Sequence, residues 1–503
     1  MKTLIVVIAA FITLNVHAQE NTLLKQAYWQ SLPDVANIKA EIEKGNSPSQ
    51  LNSMSFDPVV MAINSQAPTA SIVYLLSQPG NEVTKLTHDG RTYLHWAANR
   101  GNVEIAKYLV SKGAKANMQD SHGATPLNFA AGSGQQNTEI YDICLANGAD
   151  LKKDLSNDGA NALLLAIAND KDLSLTNYFT AKGLDLKSTD AKGNNVFSYA
   201  AKAGDIEILK TLIQKGIKPD QNAMLMAAQG SRRGAVPLSV YQYLESLNIK
   251  PAVPGKKENV LHAIVRKPKQ NEIIKYFLDK GVEVNAADED GNTVLMYAAA
   301  ANRDPEVITM ILNKSTDINA TNDKGITALA MALSSNSPEV VSLLIAKGAD
   351  VKISDKKGNS MAYYLLESYR SADKQGFGGG RSANGPKPED FDIKMAILKE
   401  TGLDVSAQQK NGNTLYHLAL AKNDLSLLKR LQPLGIDVNA KNADGITALH
   451  KAAMLSTDDE MMKYLVSIGA KKDIVTNSKE TAFDLASENE LLTKNNVSVN
   501  FLK

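Results

Sequence analysis

The chain has 503 residues, of which 44% are hydrophobic and 22% are charged, and its formal net charge at pH 7 is +1. Nucleic acids and anionic membranes bind to strongly basic protein surfaces. Because this chain is nearly neutral, neither is expected as a partner. The single cysteine, Cys144, excludes an intramolecular disulfide, and its apolar helical surroundings favour a core position. One compact core rarely grows this large, which predicts several domains or a modular architecture.

The N-terminal residues have the layout of a secretory signal peptide. Lys2 gives a positive start, an apolar or hydroxyl-bearing run covers residues 4–14, and Val16-His17-Ala18 precedes a cleavage site near Ala18. The run is shorter than the roughly 20 apolar residues of a membrane span. An ordinary buried N-terminal helix is the alternative. We assign residues 1–18 to a signal peptide. Because neither a lipid-anchoring cysteine nor a disulfide pair follows, we expect a periplasmic chain without membrane insertion.

A helix-turn-helix unit recurs along most of the chain. In residues 90–120, 291–322 and 445–473, a glycine is followed by threonine two positions later, by a short alanine-rich helix and by a second helix. The leucine-like core position of the first helix falls at Val59, Leu94, Leu127, Leu163, Phe197, Met224, Leu261, Leu295, Leu329, Ala362, Tyr416, Leu449 and Phe483. A period near 33 residues with this helical content predicts a solenoid of stacked units.

These segments resemble the ankyrin repeat. The family pattern D-x-x-G-x-T-P-L-H-x-A-A is similar to residues 90–98, 123–131 and 445–453, and the family tail L-L-x-x-G-A-D-V-N-A is similar to residues 277–288 and 343–352. The resemblance runs from about residue 57 to residue 490. It implies an all-α solenoid of about 13 units with short β-hairpin fingers, and a concave surface that typically binds partners.

The spacing of the units sets the predicted domain organisation. Between Phe197 and Met224 the step falls to 27 residues, so most of one hairpin is missing and the stack divides near residue 220. We assign N-terminal capping helices to residues 19–56, a first arc of repeats to 57–220, a second arc to 221–477, and a C-terminal cap and tail to 478–503.

One unit contains a glycine-rich insertion at about residues 371–390. The step from Ala362 to Tyr416 is 54 residues where about 33 is expected, and the extra residues fall between two predicted helices. The stretch GFGGGRSANG (376–385) lacks the preceding strand of a phosphate-binding loop, and Pro386-Lys387 stands where Lys-Ser/Thr would follow. We predict a mobile connecting loop.

The groove position of the repeat carries aromatic side chains. On a helical wheel at about 100° per residue, the residue two places after the core leucine points away from the core. The resemblance to ankyrin repeats implies that this face is the concave one. The aromatic residues at this position are Trp96, Phe129, Tyr199, Tyr297 and Tyr364. We expect either an aromatic groove that anchors a partner or rings that pack between neighbouring helices and stiffen the stack.

Polar residues of the hairpins are further candidates. Arg91, Asn292 and Lys324 are expected at hairpin tips that contact a protein or peptide partner. His88 and His122 lie in successive hairpins, but two histidines without a carboxylate or thiolate make a weak metal site. The resemblance implies a structural role, bonding to turn backbone, for the histidines that follow the core leucine, which are His95, His262, His417 and His450.

No catalytic constellation is recognisable. The G-x-S-x-G, H-E-x-x-H, Walker and Rossmann patterns are missing from the sequence. We therefore expect a non-catalytic, monomeric scaffold without cofactors that binds a protein or peptide in the periplasm. The alternative is a small-molecule or metal-binding protein that uses the hairpin histidines and the glycine-rich loop, and an enzyme is the third hypothesis.

Overall fold

The computed structural model describes residues 21–231, 234–252, 257–369 and 388–503. The predicted signal peptide and nearly all of the predicted insertion lie outside the described residues, so both stay predictions. Throughout the described part the regular secondary structure is helical, with isolated β-bridges but no β-strand. The same part contains no helix whose length and apolar character would let it cross a membrane.

The described chain is a succession of paired helices. Before residue 196 they are α1 (Gln26–Gln30), α2 (Val35–Glu43), α3 (Pro58–Asn64), α4 (Thr69–Leu76), α5 (Tyr93–Arg100), α6 (Val103–Ser111), α7 (Pro126–Ser133), α8 (Thr138–Ala146), α9 (Ala162–Ile167) and α10 (Ser174–Ala181). From residue 196 they are α11 (Val196–Ala201), α12 (Ile206–Gln214), α13 (Ala223–Gln229), α14 (Leu238–Ser246), α15 (Val260–Ile264), α16 (Asn271–Asp279), α17 (Val294–Ala301), α18 (Pro305–Leu312), α19 (Ala328–Ser335), α20 (Pro338–Ala346), α21 (Met361–Ser368), α22 (Pro388–Glu400), α23 (Leu415–Leu420), α24 (Leu425–Leu431), α25 (Ala448–Leu455), α26 (Glu460–Ser467), α27 (Ala482–Glu488) and α28 (Glu490–Lys494). Four short 3₁₀ turns complete the helical elements of the described ranges: Thr22–Leu24, His88–Gly90, Gln432–Leu434 and Asn500–Leu502.

The helix pairs confirm the predicted all-α repeat architecture. In the described ranges α1 and α2 precede the repeats, and α3 to α28 form thirteen pairs, as the period predicts. The last pair ends in the short helix α28, which lies in the segment assigned to the C-terminal cap and tail.

The chain divides into two compact units between Val196 and Phe197. In each unit the first helices pack on the first helices of adjacent repeats, as α5 does on α7 and α17 does on α19. The pair Ala97-Ala98 is fully buried at one such contact, where small side chains let the helices approach closely. The short connection from α12 to α13, residues 215–222, agrees with the reduced step before Met224, although the compact units divide earlier in the chain.

The hairpin fingers are held by single bridges rather than by strands. Bridges of this kind are Thr189–Asn195, Ala287–Thr293 and Thr321–Thr327. At the turn, one side-chain oxygen of Asp288 accepts the backbone N–H groups of Asp290 and Asn292 at 3.0 and 2.8 Å. Gly291 follows in the left-handed region at φ +80°, where a side chain would be strained. Neighbouring fingers join at their tips, where Asp323 N–H donates to the carbonyl oxygen of Asp290 at 3.0 Å.

Each motif histidine joins its own helix to the next finger. Thr92 N–H donates to His95 Nδ1 at 3.1 Å, and His95 Nε2 lies 3.1 Å from the carbonyl oxygen of Ala124. A backbone N–H can only donate and a carbonyl can only accept, so the neutral ring carries its proton on Nε2. Burial lowers the pKa of His95 to about 4. The same pair of contacts, which confirms the predicted structural role, is made by His262, His417 and His450.

Side chains from following repeats satisfy the C-terminal carbonyls of first helices in the second unit. Asn336 Nδ2 donates to the carbonyl oxygens of Ala299 and Asn302, both at 2.8 Å. These oxygens lack an intrahelical donor because they lie at a helix end. In the next repeat, which contains the insertion, the fully buried Lys394 of α22 donates to Leu333 O at 2.9 Å instead. Burial lowers the pKa of Lys394 to about 8.

Candidate binding surface

Trp96 and Phe129 form an aromatic pair on adjacent first helices of the first unit. Their ring centroids lie 5.7 Å apart with the planes at 86°. Trp96 Nε1 donates to Thr87 Oγ1 at 2.9 Å, and the Phe56 ring lies 5.6 Å from the Trp96 ring. Trp96 is only 7% exposed, whereas Phe129 is half-buried. The pair is therefore packed, and Phe129 is the member that keeps accessible surface.

Arg91 lies between side chains of two repeats and not at an exposed tip. It is 7% exposed, its Nε donates to Asp120 Oδ2 at 2.9 Å, and its Nη1 forms an ion pair with Asp89 Oδ2 at 3.0 Å. The guanidinium also lies over the Phe129 ring at 4.2 Å from the centroid and 5.3 Å from the Trp96 ring. A planar cation is suited to this combination of stacking and charged hydrogen bonds. The expected projection of Arg91 toward a partner is corrected: carboxylates and rings enclose it.

Arg91 contacts the carboxylate that, in repeats of the second unit, accepts a tyrosine hydroxyl. In the second unit, groove tyrosines donate from their hydroxyl to an aspartate nine residues earlier, in the pairs Tyr297–Asp288 at 2.5 Å and Tyr364–Asp355 at 2.7 Å. Phe129 occupies the same position of the repeat but has no hydroxyl. Asp120, nine residues before it, therefore has Oδ2 available for Arg91. Sequence reasoning missed this contact, although an aspartate stands nine residues before four of the five rings, Phe129, Tyr199, Tyr297 and Tyr364, and is a readable signal.

The rings of the second unit are largely packed as well. Tyr199 is 8% exposed and Tyr364 is 9% exposed, whereas Tyr297 is half-buried. Arg266 lies over the Tyr297 ring at 5.1 Å from the centroid. Burial, followed by the hydrogen bond to Asp288, raises the pKa of Tyr297 to about 12. Phe129 and Tyr297 are thus the more accessible rings of the predicted stripe, and partner contact by its five residues stays a prediction.

The two predicted tip residues of the second unit differ in exposure. Asn292 is half-buried, and its Oδ1 accepts from Asn322 Nδ2 at 2.9 Å. Lys324 is exposed, and its carbonyl oxygen accepts from Lys356 N–H at 3.0 Å. Asn292 therefore joins two fingers, whereas Lys324 presents its ammonium group to solvent.

Asp89 brings the two hairpin histidines together. The Nε2 atoms of His88 and His122 each lie 3.4 Å from Asp89 Oδ2, so the carboxylate that the sequence interpretation lacked is present. The same oxygen forms an ion pair with Arg91, which places a permanent positive charge beside any cation. In the part of the chain that the structure describes, no group of three or more His, Cys, Asp or Glu side chains is arranged to hold a metal ion. The arrangement is a polar cluster around one carboxylate that forms an ion pair with Arg91.

Stacked helix pairs, bridged fingers and a partly accessible aromatic surface define a helical repeat scaffold. A family model described as "Ankyrin repeats (3 copies)" matches residues 60–153, 224–322, 261–355, 299–371 and 393–501. These matches cover more than half of the chain, which therefore belongs to the ankyrin-repeat family. Ankyrin repeats generally mediate binding between proteins.

Known relatives are similar to parts of the chain. Phosphocholine transferase AnkX of Legionella pneumophila is 26% identical over 42% of this chain and 20% of its own length. Neurogenic locus notch homolog protein 1 of Homo sapiens is 28% identical over 26% of this chain and 5% of its own length. The matches thus span a fifth or less of these relatives. The crystal structure of the ankyrin repeat domain of Bcl-3 aligns with a TM-score of 0.36 and 20% identity, over 47% of this chain and 98% of that domain.

Proposed function

We propose that this chain is a non-catalytic scaffold of the bacterial periplasm that binds a protein or peptide partner through the groove face of its first unit. The observation that carries the proposal is the cluster in which Phe129 keeps accessible surface beside Arg91 and Trp96. Large aromatic side chains and arginine dominate the energetics of many protein interfaces. Membership of the ankyrin-repeat family supports the protein-binding part.

The cluster is fixed in the free chain. Arg91 is held by the carboxylates of Asp89 and Asp120, and Trp96 is held by Thr87. Side chains that already occupy one conformation lose little conformational entropy when a partner docks, so more of the contact energy contributes to affinity. A partner would therefore meet a rigid surface, with Phe129 as its apolar anchor.

The absence of catalysis is proposed from the chemistry of the reactive groups. Cys144 is buried, and burial raises the pKa of its thiol to about 12, so a nucleophilic thiolate is disfavoured. Both ring nitrogens of His95 are engaged by backbone groups. AnkX is named as a transferase, but the matched region is 20% of its length, and the similarity supports shared repeats.

Capture of a partner from envelope extract tests the binding proposal. Phe129→Ala is expected to reduce the amount captured by about tenfold, the loss of one interface anchor. Tyr178→Ala is the matched control, because Tyr178 is also a half-buried ring of the first unit but lies on a second helix. Circular dichroism checks that both variants fold. Equal capture by wild type and Phe129→Ala would reject this face as the binding surface.

The periplasmic location has a separate test. Cell fractionation followed by N-terminal sequencing is expected to give a mature chain in the periplasmic fraction that begins at Gln19, after cleavage next to Ala18. A full-length chain that retains Met1 and fractionates with the cytoplasm would refute export.

A further inference from the structure

Four lysines project from three successive fingers of the second unit. All four are exposed, and they are Lys324, Lys356, Lys357 and Lys410. We call this group of side chains the lysine ridge. Within the described ranges none of these four side chains forms an ion pair or a side-chain hydrogen bond. Because the whole chain carries a formal charge of only +1, the ridge is a local concentration of positive charge.

Backbone hydrogen bonds between the finger tips fix the spacing of the ridge. Lys356 N–H donates to the carbonyl oxygen of Lys324 at 3.0 Å, and Lys410 N–H donates to that of Gly358 at 3.4 Å. Gly358 has φ +80°, and a side chain at this position would overlap the side chain of Lys410. Glycine therefore lets the third finger close against the second, so the lysines occupy neighbouring positions on a connected edge.

The acidic groups nearby leave the ridge with excess positive charge. Asp323 is exposed beside Lys324. Asp355 accepts from the Tyr364 hydroxyl at 2.7 Å and from Asn359 Nδ2 at 2.8 Å, so its carboxylate is bound within its own repeat. Two carboxylates thus stand against four ammonium groups on these three fingers.

The finger before the ridge has the opposite charge. Its tip carries Glu289 and Asp290, both exposed, and it is joined to the next tip through Asp323 N–H, which donates to the carbonyl oxygen of Asp290 at 3.0 Å. The finger edge of this unit therefore changes sign between adjacent repeats. Glu289 and Asp290 would repel an anionic segment that extended past Lys324. The segment bound to the ridge is therefore expected to end at Lys324.

We propose that the lysine ridge docks an acidic peptide segment of the protein partner. This inference rests on the proposed function and assigns a chemistry to part of the partner. Complementary charge speeds encounter and fixes register. Packed helices lie about 8–10 Å apart, and a polyproline II chain advances about 3.1 Å per residue with three residues per turn, so carboxylates at every third residue share one face and meet successive fingers.

The test is the binding of a labelled peptide of about 12 residues with glutamate at every third position, followed by fluorescence anisotropy with the full chain at about 0.1 M salt. The same peptide with glutamine in place of glutamate is expected to bind at least about tenfold more weakly. Lys356→Glu/Lys357→Glu is expected to weaken binding of the glutamate peptide by a similar factor. Lys115→Glu/Lys152→Glu is the matched control, since it makes the same charge change on exposed lysines of the first unit and is expected to change affinity less than about twofold.

An equal loss in both double variants would show that net charge alone attracts the peptide, and would overturn the proposal. Tighter binding of a single-stranded oligonucleotide than of the glutamate peptide at the same salt concentration would overturn the choice of a peptide. Failure of the glutamate peptide to bind, while Phe129-dependent capture persists, would remove the ridge inference and leave the proposed function standing. If the lysine ridge bound the peptide but Phe129→Ala left partner capture unchanged, the groove proposal would be rejected and the ridge inference would remain.

Discussion

Arg91 Nε and Asp120 Oδ2 lie 2.9 Å apart across two adjacent repeats, and both residues are buried. The carboxylate also accepts the backbone N–H groups of His122 and Ala124 through Oδ1, both at 2.9 Å. One aspartate thus shapes its own finger and binds the arginine of the preceding finger. The pair fixes the position of two fingers relative to each other.

Arg91→Ala is expected to lower the free energy of unfolding by about 3 kcal/mol, because Asp120 would stay buried without this cation. Arg91→Lys keeps the charge but loses the planar stack on Phe129, and we expect it to recover part of the stability. Urea unfolding of Arg91→Ala, Asp120→Asn and the double variant measures the coupling. Purely additive effects would contradict a direct pair.

Lys394→Met is expected to change how stability depends on alkaline pH. The pKa of Lys394 is lowered to about 8 from its ordinary 10.5, so between these values the unfolded chain holds more protons and stability rises with pH. The variant lacks this contribution. From pH 7 to pH 10.5 the difference in unfolding free energy should therefore move in favour of wild type by about 3 kcal/mol.

Urea titrations of wild type and Lys394→Met at several pH values measure this difference. Lys357→Met is a suitable control because this lysine is exposed on the same unit. If the difference in unfolding free energy between wild type and Lys394→Met stayed constant with pH, folding would not lower the pKa of Lys394, and the prediction would be wrong.

Acid is expected to destabilise the fold through the motif histidines. The pKa of His95 is lowered to about 4 from its ordinary 6.5, so the unfolded chain binds the proton first as pH falls. The contribution of neutral His95 to the free energy of unfolding is about 3 kcal/mol. It is fully present above pH 6.5 and is lost as the pH falls toward 4. Burial also lowers the pKa of His417 and His450, which adds to the effect in the same direction.

His95→Gln is expected to flatten the decline of stability between pH 6.5 and pH 4, since the variant has one buried histidine fewer to protonate. Urea midpoints measured across this range provide the check. An identical slope in wild type and variant would show that His95 does not contribute to the acid response.

Purified protein is expected to contain no stoichiometric metal ion, because Arg91 forms an ion pair with the same Asp89 oxygen that lies near His88 and His122. Elemental analysis after dialysis against a divalent-metal mixture makes the measurement. One bound ion per chain that disappears in both His88→Ala and His122→Ala would restore the metal-binding hypothesis.

Much of the fold was predictable because each unit repeats a local pattern. Gly90 and Gly445 permit the left-handed turn, and Thr92 begins a helix whose third residue is a motif histidine. Such signals depend on residues close in sequence, so periodicity sufficed to predict the helix pairs and their approximate number. The groove position was likewise a matter of helical phase, and the rings of Trp96 and Phe129, which share this position in successive repeats, contact each other.

The contacts of the site were harder to predict because they join different repeats. Arg91 and Asp120 are 29 residues apart, and their pair lies in a repeat that has phenylalanine at the groove position. Asp89 meets a histidine of its own finger and one of the next. Exposure also depends on neighbouring repeats, since Arg91 lies over the Phe129 ring and Arg266 lies over the Tyr297 ring, each from the preceding repeat.

The sequence by itself determined the repeat, the helix pairs and the place of each aromatic ring on its helix, because these depend on spacing within a unit. Only the tertiary structure decided that Arg91 is enclosed, that Lys394 replaces an asparagine at a helix end, and that the lysine ridge forms one edge. Burial and charge compensation arise where units stack, and each unit meets partners that its own sequence does not contain.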